Sequence, residues 1–106
     1  MRIAIPRRVK LRGRWWSVRL TSKPKRAEMH GLRGLCDLDE RAIWIDRSCG
    51  RPERELTYVH EVLHAIWPRG VVTHEAEEEL ISALERPLAE AIARGAFMIS
   101  PPDEVP

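Results

Sequence analysis

The chain has 106 residues, of which 43% are hydrophobic and 32% are charged, a composition that fits one soluble globular domain with a modest core. No apolar run is long enough to cross a bilayer, and no sustained apolar stretch follows the basic N-terminus as in a signal peptide. We therefore expect a cytoplasmic protein. Its two cysteines, Cys36 and Cys49, form neither a CxxC pair nor a disulfide framework, which favours reduced thiols.

The net charge of +2 conceals an uneven distribution of charge along the chain. Residues 1 to 34 contain 11 lysines and arginines against a single acid, Glu28, whereas residues 35 to 106 contain 7 bases and 15 acids. The two parts can neutralise each other within the fold. Alternatively, the basic part can present a surface to nucleic acid or to an acidic protein, although no base-reading motif accompanies the charge.

The first half of the chain is predicted to form strands. Residues 7 to 21 alternate β-branched and aromatic residues with charged ones, which indicates one or two strands, and residues 22 to 34 are predicted to form a loop. Residues 35 to 46 are typical of a hairpin that turns at positions 39 to 41. In its second strand, Ile43 and Ile45 should face the core and Trp44 the opposite side.

Two helices are predicted to follow. The first has Pro52 in its opening turn and should run to Trp67, where Pro68 stops it. The second begins at the N-cap residue Thr73, and we expect Pro87 to kink or split it. Its apolar positions follow helical spacing: Leu80, Ile81, Leu84, Leu88 and Ile92. Beyond it, residues 96 to 106 are predicted to form an extended, proline-rich tail, and one hypothesis is that its carboxylates cover the cleft and keep the protein latent.

The sequence His60-Glu61-Val62-Leu63-His64 in the first helix predicts a metal site. Residues four positions apart share a helix face, so His60 and His64 can present their imidazoles to one ion. Glu61 lies beside them and can accept a proton from a metal-activated water. Zinc suits this chemistry because it binds neutral imidazole and acidifies water.

A catalytic zinc usually has three protein ligands, and the second helix supplies the candidates for the third. Val62, Leu63 and Ile66 follow His60 at the same offsets at which three apolar residues follow Glu78, namely Leu80, Ile81 and Leu84. Glu78 should therefore border its own core as His60 does, and we expect it to be the ligand. Glu77 and His74 remain alternatives.

The succession of the strand AIWID, the helix with HEVLHA and the helix with EEELI resembles the small zinc metallopeptidases of the gluzincin type. It is similar to the compact HExxH proteins of prokaryotes and phages, including the minigluzincins and the peptidase domain related to ImmA/IrrE. The match covers roughly residues 34 to 95 of this chain.

The resemblance implies an α+β fold, in which a small antiparallel or mixed sheet packs on the HExxH helix and a glutamate helix follows. It implies that His60 and His64 are zinc ligands, that Glu61 is the general base, that a downstream glutamate is the third ligand, and that a strand near the cleft pairs with an extended peptide.

The sequence thus predicts one domain: a basic region over residues 1 to 34, a catalytic core over residues 35 to 95, and the tail. The leading expectation for its function is a zinc-dependent metallopeptidase with a peptide or protein substrate. The alternative is a non-enzymatic module with a structural zinc site that binds nucleic acid or an acidic protein through the basic region.

Overall fold

The computed structural model describes residues 3 to 96 of the chain. They form four strands and three helices in the following order: β1 (Arg8–Leu11), β2 (Arg14–Leu20), α1 (Lys23–Glu28), β3 (Gly34–Asp37), β4 (Ala42–Ile45), α2 (Arg51–Ile66) and α3 (His74–Ala93). The predicted tail and the latency hypothesis fall on residues that lie outside this range, apart from position 96.

The strands form one mixed sheet in the order β1-β2-β4-β3. β1 and β2 are antiparallel and are joined by Arg12 and Gly13, whose φ angles of 50° and 79° are those of a tight hairpin turn. β3 and β4 form the predicted second hairpin, and β2 pairs with β4 in parallel. Two long helices accompany this mixed sheet, so the predicted α+β class is confirmed.

Helix α2 lies between the sheet and α3. On one side, sheet residues pack around Ala65 of α2: Trp16, Val18, Ile43 and Ile45. On the other side, Leu56, Val59 and Leu63 of α2 form a second core cluster with two residues of α3, Ile81 and Ala89. Helix α2, which carries the HEVLH sequence, therefore contributes to both core clusters.

The expected orientation of β4 is confirmed. Ile43 and Ile45 are completely buried in the cluster against α2, while Trp44 between them is only partly buried. Successive side chains of a strand point to opposite faces, so Trp44 lies on the face of the sheet directed away from α2.

The predicted loop at residues 22 to 34 contains a short helix, α1, and this part of the prediction is wrong. The hydroxyl of Ser22 accepts a hydrogen bond from the backbone amide of Lys25 at 3.4 Å, which is the contact of a helix N-cap. Ser22 followed by Pro24 is a helix-start pattern. The glycines that follow at positions 31 and 34 favoured a loop over the whole segment, although they lie beyond the helix.

Both long helices depart from the predicted apolar stripes. Thr73 is the N-cap of α3, since its hydroxyl accepts from the amide of Ala76 at 3.1 Å, but the helix continues through Pro87 without a split. A proline removes one backbone hydrogen bond of the helix. Ile81 before Pro87 and Ala89 after it are both buried in the cluster with α2, which stabilises the helix across the proline. Four residues of the predicted apolar stripes are exposed: Ile66, Leu80, Leu84 and Ile92. No helix within residues 3 to 96 has the length and apolar character of a membrane span.

Candidate metal centre

Helix α2 holds the two histidines side by side at the rim of its buried face. The ring centroids of His60 and His64 are 4.9 Å apart, as expected for residues one helical turn apart. Their side chains are only 15% and 13% exposed. The two imidazoles are thus held close to the core while each still reaches the cleft between α2 and α3.

Glu78 of α3 meets the same ring nitrogen of both histidines. Its Oε1 lies 3.0 Å from Nε2 of His60, and its Oε2 lies 2.7 Å from Nε2 of His64. Ligand atoms of these three side chains all lie within 4.8 Å of one another, and this is the one such group of metal-ligating side chains among residues 3 to 96. The structure therefore brings together the three residues that the sequence proposed as ligands.

The remaining ring nitrogens are occupied by two other carboxylates of α3. Nδ1 of His60 lies 2.8 Å from Oε2 of Glu85, and Nδ1 of His64 lies 2.7 Å from Oε2 of Glu77. A carboxylate that accepts from Nδ1–H leaves the lone pair of a neutral imidazole on Nε2, which is the tautomer that a metal ligand requires.

This donor set has the chemistry of a cation site. The two Nε2 atoms and the carboxylate of Glu78 converge on the same small space, with Nε2–oxygen distances of 3.0 and 2.7 Å. Two imidazoles and one carboxylate are a common ligand set of catalytic zinc. His60, His64 and Glu78 could therefore hold a metal ion, with Glu85 and Glu77 orienting the rings.

The other candidate ligands lie elsewhere. Glu77 is buried at 6% exposure and contacts the far side of the His64 ring, and Arg69 approaches its Oε2 at 3.5 Å. The guanidinium of Arg69 also donates to the backbone oxygen of His64 at 2.6 Å, which ties the end of α2 to this pair. His74 lines the cleft but does not belong to the three-residue group.

Glu61 is the buried acid of the site, with 7% of its surface exposed. Burial raises the pKa of Glu61 from 4.5 to about 7; the adjacent His60 opposes this rise, and the nearby Glu78 and Glu85 add to it. A carboxyl group with such a pKa can both accept and release a proton at neutral pH.

Strand β3 approaches Glu61 at a glycine. A Cβ atom on Gly34 would lie 2.9 Å from Oε2 of Glu61 and 2.4 Å from Cγ2 of Thr57, the residue one helical turn earlier. Any larger residue would push the strand away from α2. Gly34 therefore allows the backbone of β3 to lie directly against the buried acid.

The site opens into a cleft of about 660 Å³. One wall is formed by β3 and its flanking residues, including Leu32, Leu35 and Leu38, and the other by α3. Cys36 also lines the cleft, but burial raises the pKa of its thiol to about 12, so it is not a thiolate nucleophile at neutral pH.

Two residues of the candidate site were not singled out by the sequence. Glu85 was only one of several downstream acids, and its signal was its spacing, since Glu78, Ser82 and Glu85 fall on one face of a helix and all line the cleft. Gly34 had no local signal, because its constraint comes from side chains of α2 that are distant in sequence.

Comparison with known proteins adds no relative to this description. No protein-family model matches the chain, and neither the curated proteins nor the solved structures yield a match.

The contact at Gly34 gives a prediction about stability. We expect Gly34→Ala to lower the free energy of unfolding by roughly 1–3 kcal/mol, as overpacking typically does, because the new methyl group overlaps Thr57. Chemical denaturation measures the change. The double variant Gly34→Ala/Thr57→Ser, which lacks the overlapping Cγ2, should recover part of the loss.

Gly50→Ala is the matched control, because the nearest atom to a Cβ at that position is 4.0 Å away. Only a small change is expected there. Equal stability of Gly34→Ala and the unmodified protein would show that the strand does not depend on a glycine at this position.

Proposed function

We propose that this protein is a zinc-dependent metallopeptidase. The observation that carries the proposal is the convergence of Nε2 of His60, Nε2 of His64 and the carboxylate of Glu78 on one point beside the buried Glu61. Imidazole nitrogens favour zinc over magnesium or calcium, which prefer oxygen ligands. Three ligands leave a position for water or substrate, as catalytic zinc sites do.

The division of work among the side chains follows from their positions. Bound zinc supplies a Lewis acid that lowers the pKa of water toward 7. Glu61 accepts the proton of the attacking water and delivers it to the nitrogen of the leaving amine. The group must be ionised for the first step and protonated for the second, and burial favours the protonated form that the second step uses.

The cleft suits an extended peptide. β3 is an edge strand of the sheet, paired among residues 3 to 96 with β4 alone, and it lines the cleft beside Glu61. An edge strand offers unpaired backbone N–H and C=O groups to which a peptide can add as a further strand. The leucines beside β3 provide apolar surface for side chains of that peptide.

The donor count favours the enzyme over a module with a structural zinc site. Structural zinc is usually held by four protein ligands in a closed site. Among residues 3 to 96 the cluster offers three, and it lies in an open cleft with a proton acceptor alongside. An enzyme has a use for the buried Glu61, whereas a structural site has none.

The role of Glu61 predicts that Glu61→Gln keeps zinc and loses hydrolysis. The amide has nearly the same size as the acid but cannot accept the proton. Zinc content is measured by elemental analysis, with about one ion per chain expected, and hydrolysis by a library of quenched fluorescent peptides. Full activity of Glu61→Gln would exclude it as the base, and absence of zinc in the reconstituted unmodified protein would refute the proposal itself.

The position of Glu78 predicts that Glu78→Ala loses zinc and activity together. The neighbouring Glu79 is exposed and contacts neither histidine in the described structure, so Glu79→Ala is the matched control and should retain both. Retention of zinc by Glu78→Ala together with its loss from Glu77→Ala would show that Glu77 is the third ligand.

The contact of Glu85 with His60 predicts an intermediate effect. We expect Glu85→Ala to weaken zinc affinity by about 10–100-fold, the usual consequence of removing the partner of a metal-bound histidine. Competition with a chromophoric chelator measures the affinity. Ser82→Ala alters the same wall of the cleft without touching a histidine and should leave the affinity unchanged. An equal loss in both variants would contradict an orienting role for Glu85.

A further inference from the structure

The sheet has a second face, directed away from α2, that concentrates positive charge and indole rings. Val9 and Leu11 of β1 and Trp16 and Val18 of β2 point to the core. The alternating residues of these strands and of β4 therefore point to the other side. We call this surface the basic-aromatic face and define it by Arg8, Lys10, Trp15, Arg19 and Trp44.

Cross-strand pairing interleaves the cations and the rings. Lys10 is directly opposite Trp15, and Arg19 is directly opposite Trp44. The guanidinium of Arg8 lies 4.1 Å from the ring centroid of Trp15, and that of Arg19 lies 5.5 Å from the ring of Trp44. Trp15 remains 52% exposed despite these neighbours, so much of its ring is open to a further contact.

The charge of this face is not neutralised by the rest of the described structure. No acid occurs in the sequence before Glu28, and Arg8, Lys10 and Arg19 form no ion pair with any residue between positions 3 and 96. Asp37 shares the face at the far edge of the sheet, where its carboxylate accepts from the backbone amide of Glu40. The bases around Trp15 are therefore available to an anionic partner.

We propose that the basic-aromatic face binds single-stranded nucleic acid. Phosphates are bound by surface lysines and arginines, and unpaired bases stack on exposed aromatic rings, including those presented on the face of a four-stranded sheet. An acidic protein would complement the charge of this face, but it has no bases to stack on the exposed indole ring of Trp15. This face lies across the sheet from α2 and the metal centre, so the binding is separate from peptide hydrolysis.

Fluorescence anisotropy of the full-length chain with labelled oligouridylate and oligothymidylate of about 12 nucleotides tests the proposal. We expect binding at about 50 mM salt that weakens steeply by about 200 mM. Trp15→Ala should weaken it roughly 5- to 100-fold, the range for loss of one stacked base, and Trp15→Phe should retain most of it. The double variant Arg8→Gln/Lys10→Gln should reduce the slope of affinity against salt by about two.

Arg86→Gln is the charge-matched control, since Arg86 is exposed on α3 and outside the basic-aromatic face. It should not alter binding. A preference for one oligomer shows whether the RNA or the DNA strand is the better ligand and supports the proposal. Three outcomes would overturn it: no binding at low salt, an equal loss in Arg86→Gln and in the single variant Arg8→Gln, which removes the same charge, or displacement of the oligomers by polyglutamate at the same charge concentration, which would indicate an acidic protein partner.

Discussion

The packing of α3 against α2 is the contact on which the candidate metal centre depends, because each helix supplies only part of it. α2 brings two imidazoles and the buried acid, and α3 brings the three carboxylates that meet those imidazoles. Ile81, which is completely buried between the helices, lies one helical turn from each of Glu77, Glu78 and Glu85. One apolar contact thus fixes the register of all three carboxylates relative to the histidines.

Four carboxyl groups meet around the two imidazoles of the site. Glu61, Glu77, Glu78 and Glu85 all line the cleft; Glu61 and Glu77 are buried, whereas Glu78 is about half exposed. Arg69 lies 3.5 Å from Glu77, and the groups that contact Glu78 are the two imidazoles, at 3.0 and 2.7 Å. A divalent ion held by His60, His64 and Glu78 would add positive charge beside these carboxyl groups and would oppose the rise in the pKa of Glu61 that burial causes.

Local sequence patterns predicted the elements of the fold better than the way they meet. The spacing of His60 and His64 depends on the geometry of one helix, and the alternation in β4 depends on the geometry of one strand. The sequence therefore predicted both correctly. The choice of Glu78 rested on Leu80 and Leu84 being core residues, yet both are exposed. Glu78 faces the histidines for another reason, namely that it shares a flank of α3 with Ser82 and Glu85.

What the sequence could not reveal are contacts between distant segments. The buried face of α3 is set by how the helix rotates against α2, and the approach of Gly34 to Glu61 is set by how β3 packs on that same helix. Neither of these two packing arrangements produces a periodic pattern in the sequence. Glu77 illustrates the difference: the sequence left it as an alternative third ligand, whereas in the structure it contacts Nδ1 of His64 and lies 3.5 Å from Arg69.

The uneven distribution of charge along the sequence becomes a separation in space. The acids of α3 gather at the cleft, where a cation would be stabilised, while the bases of β1 and β2 lie on the opposite face of the sheet. The sheet and α2, joined by apolar contacts, lie between the acidic cleft and the basic-aromatic face. Had the basic strands packed against α3, their cations would have been close enough to pair with the carboxylates of the cleft. Among residues 3 to 96 the sheet instead keeps the two kinds of charge apart, so each surface can attract a partner of opposite charge.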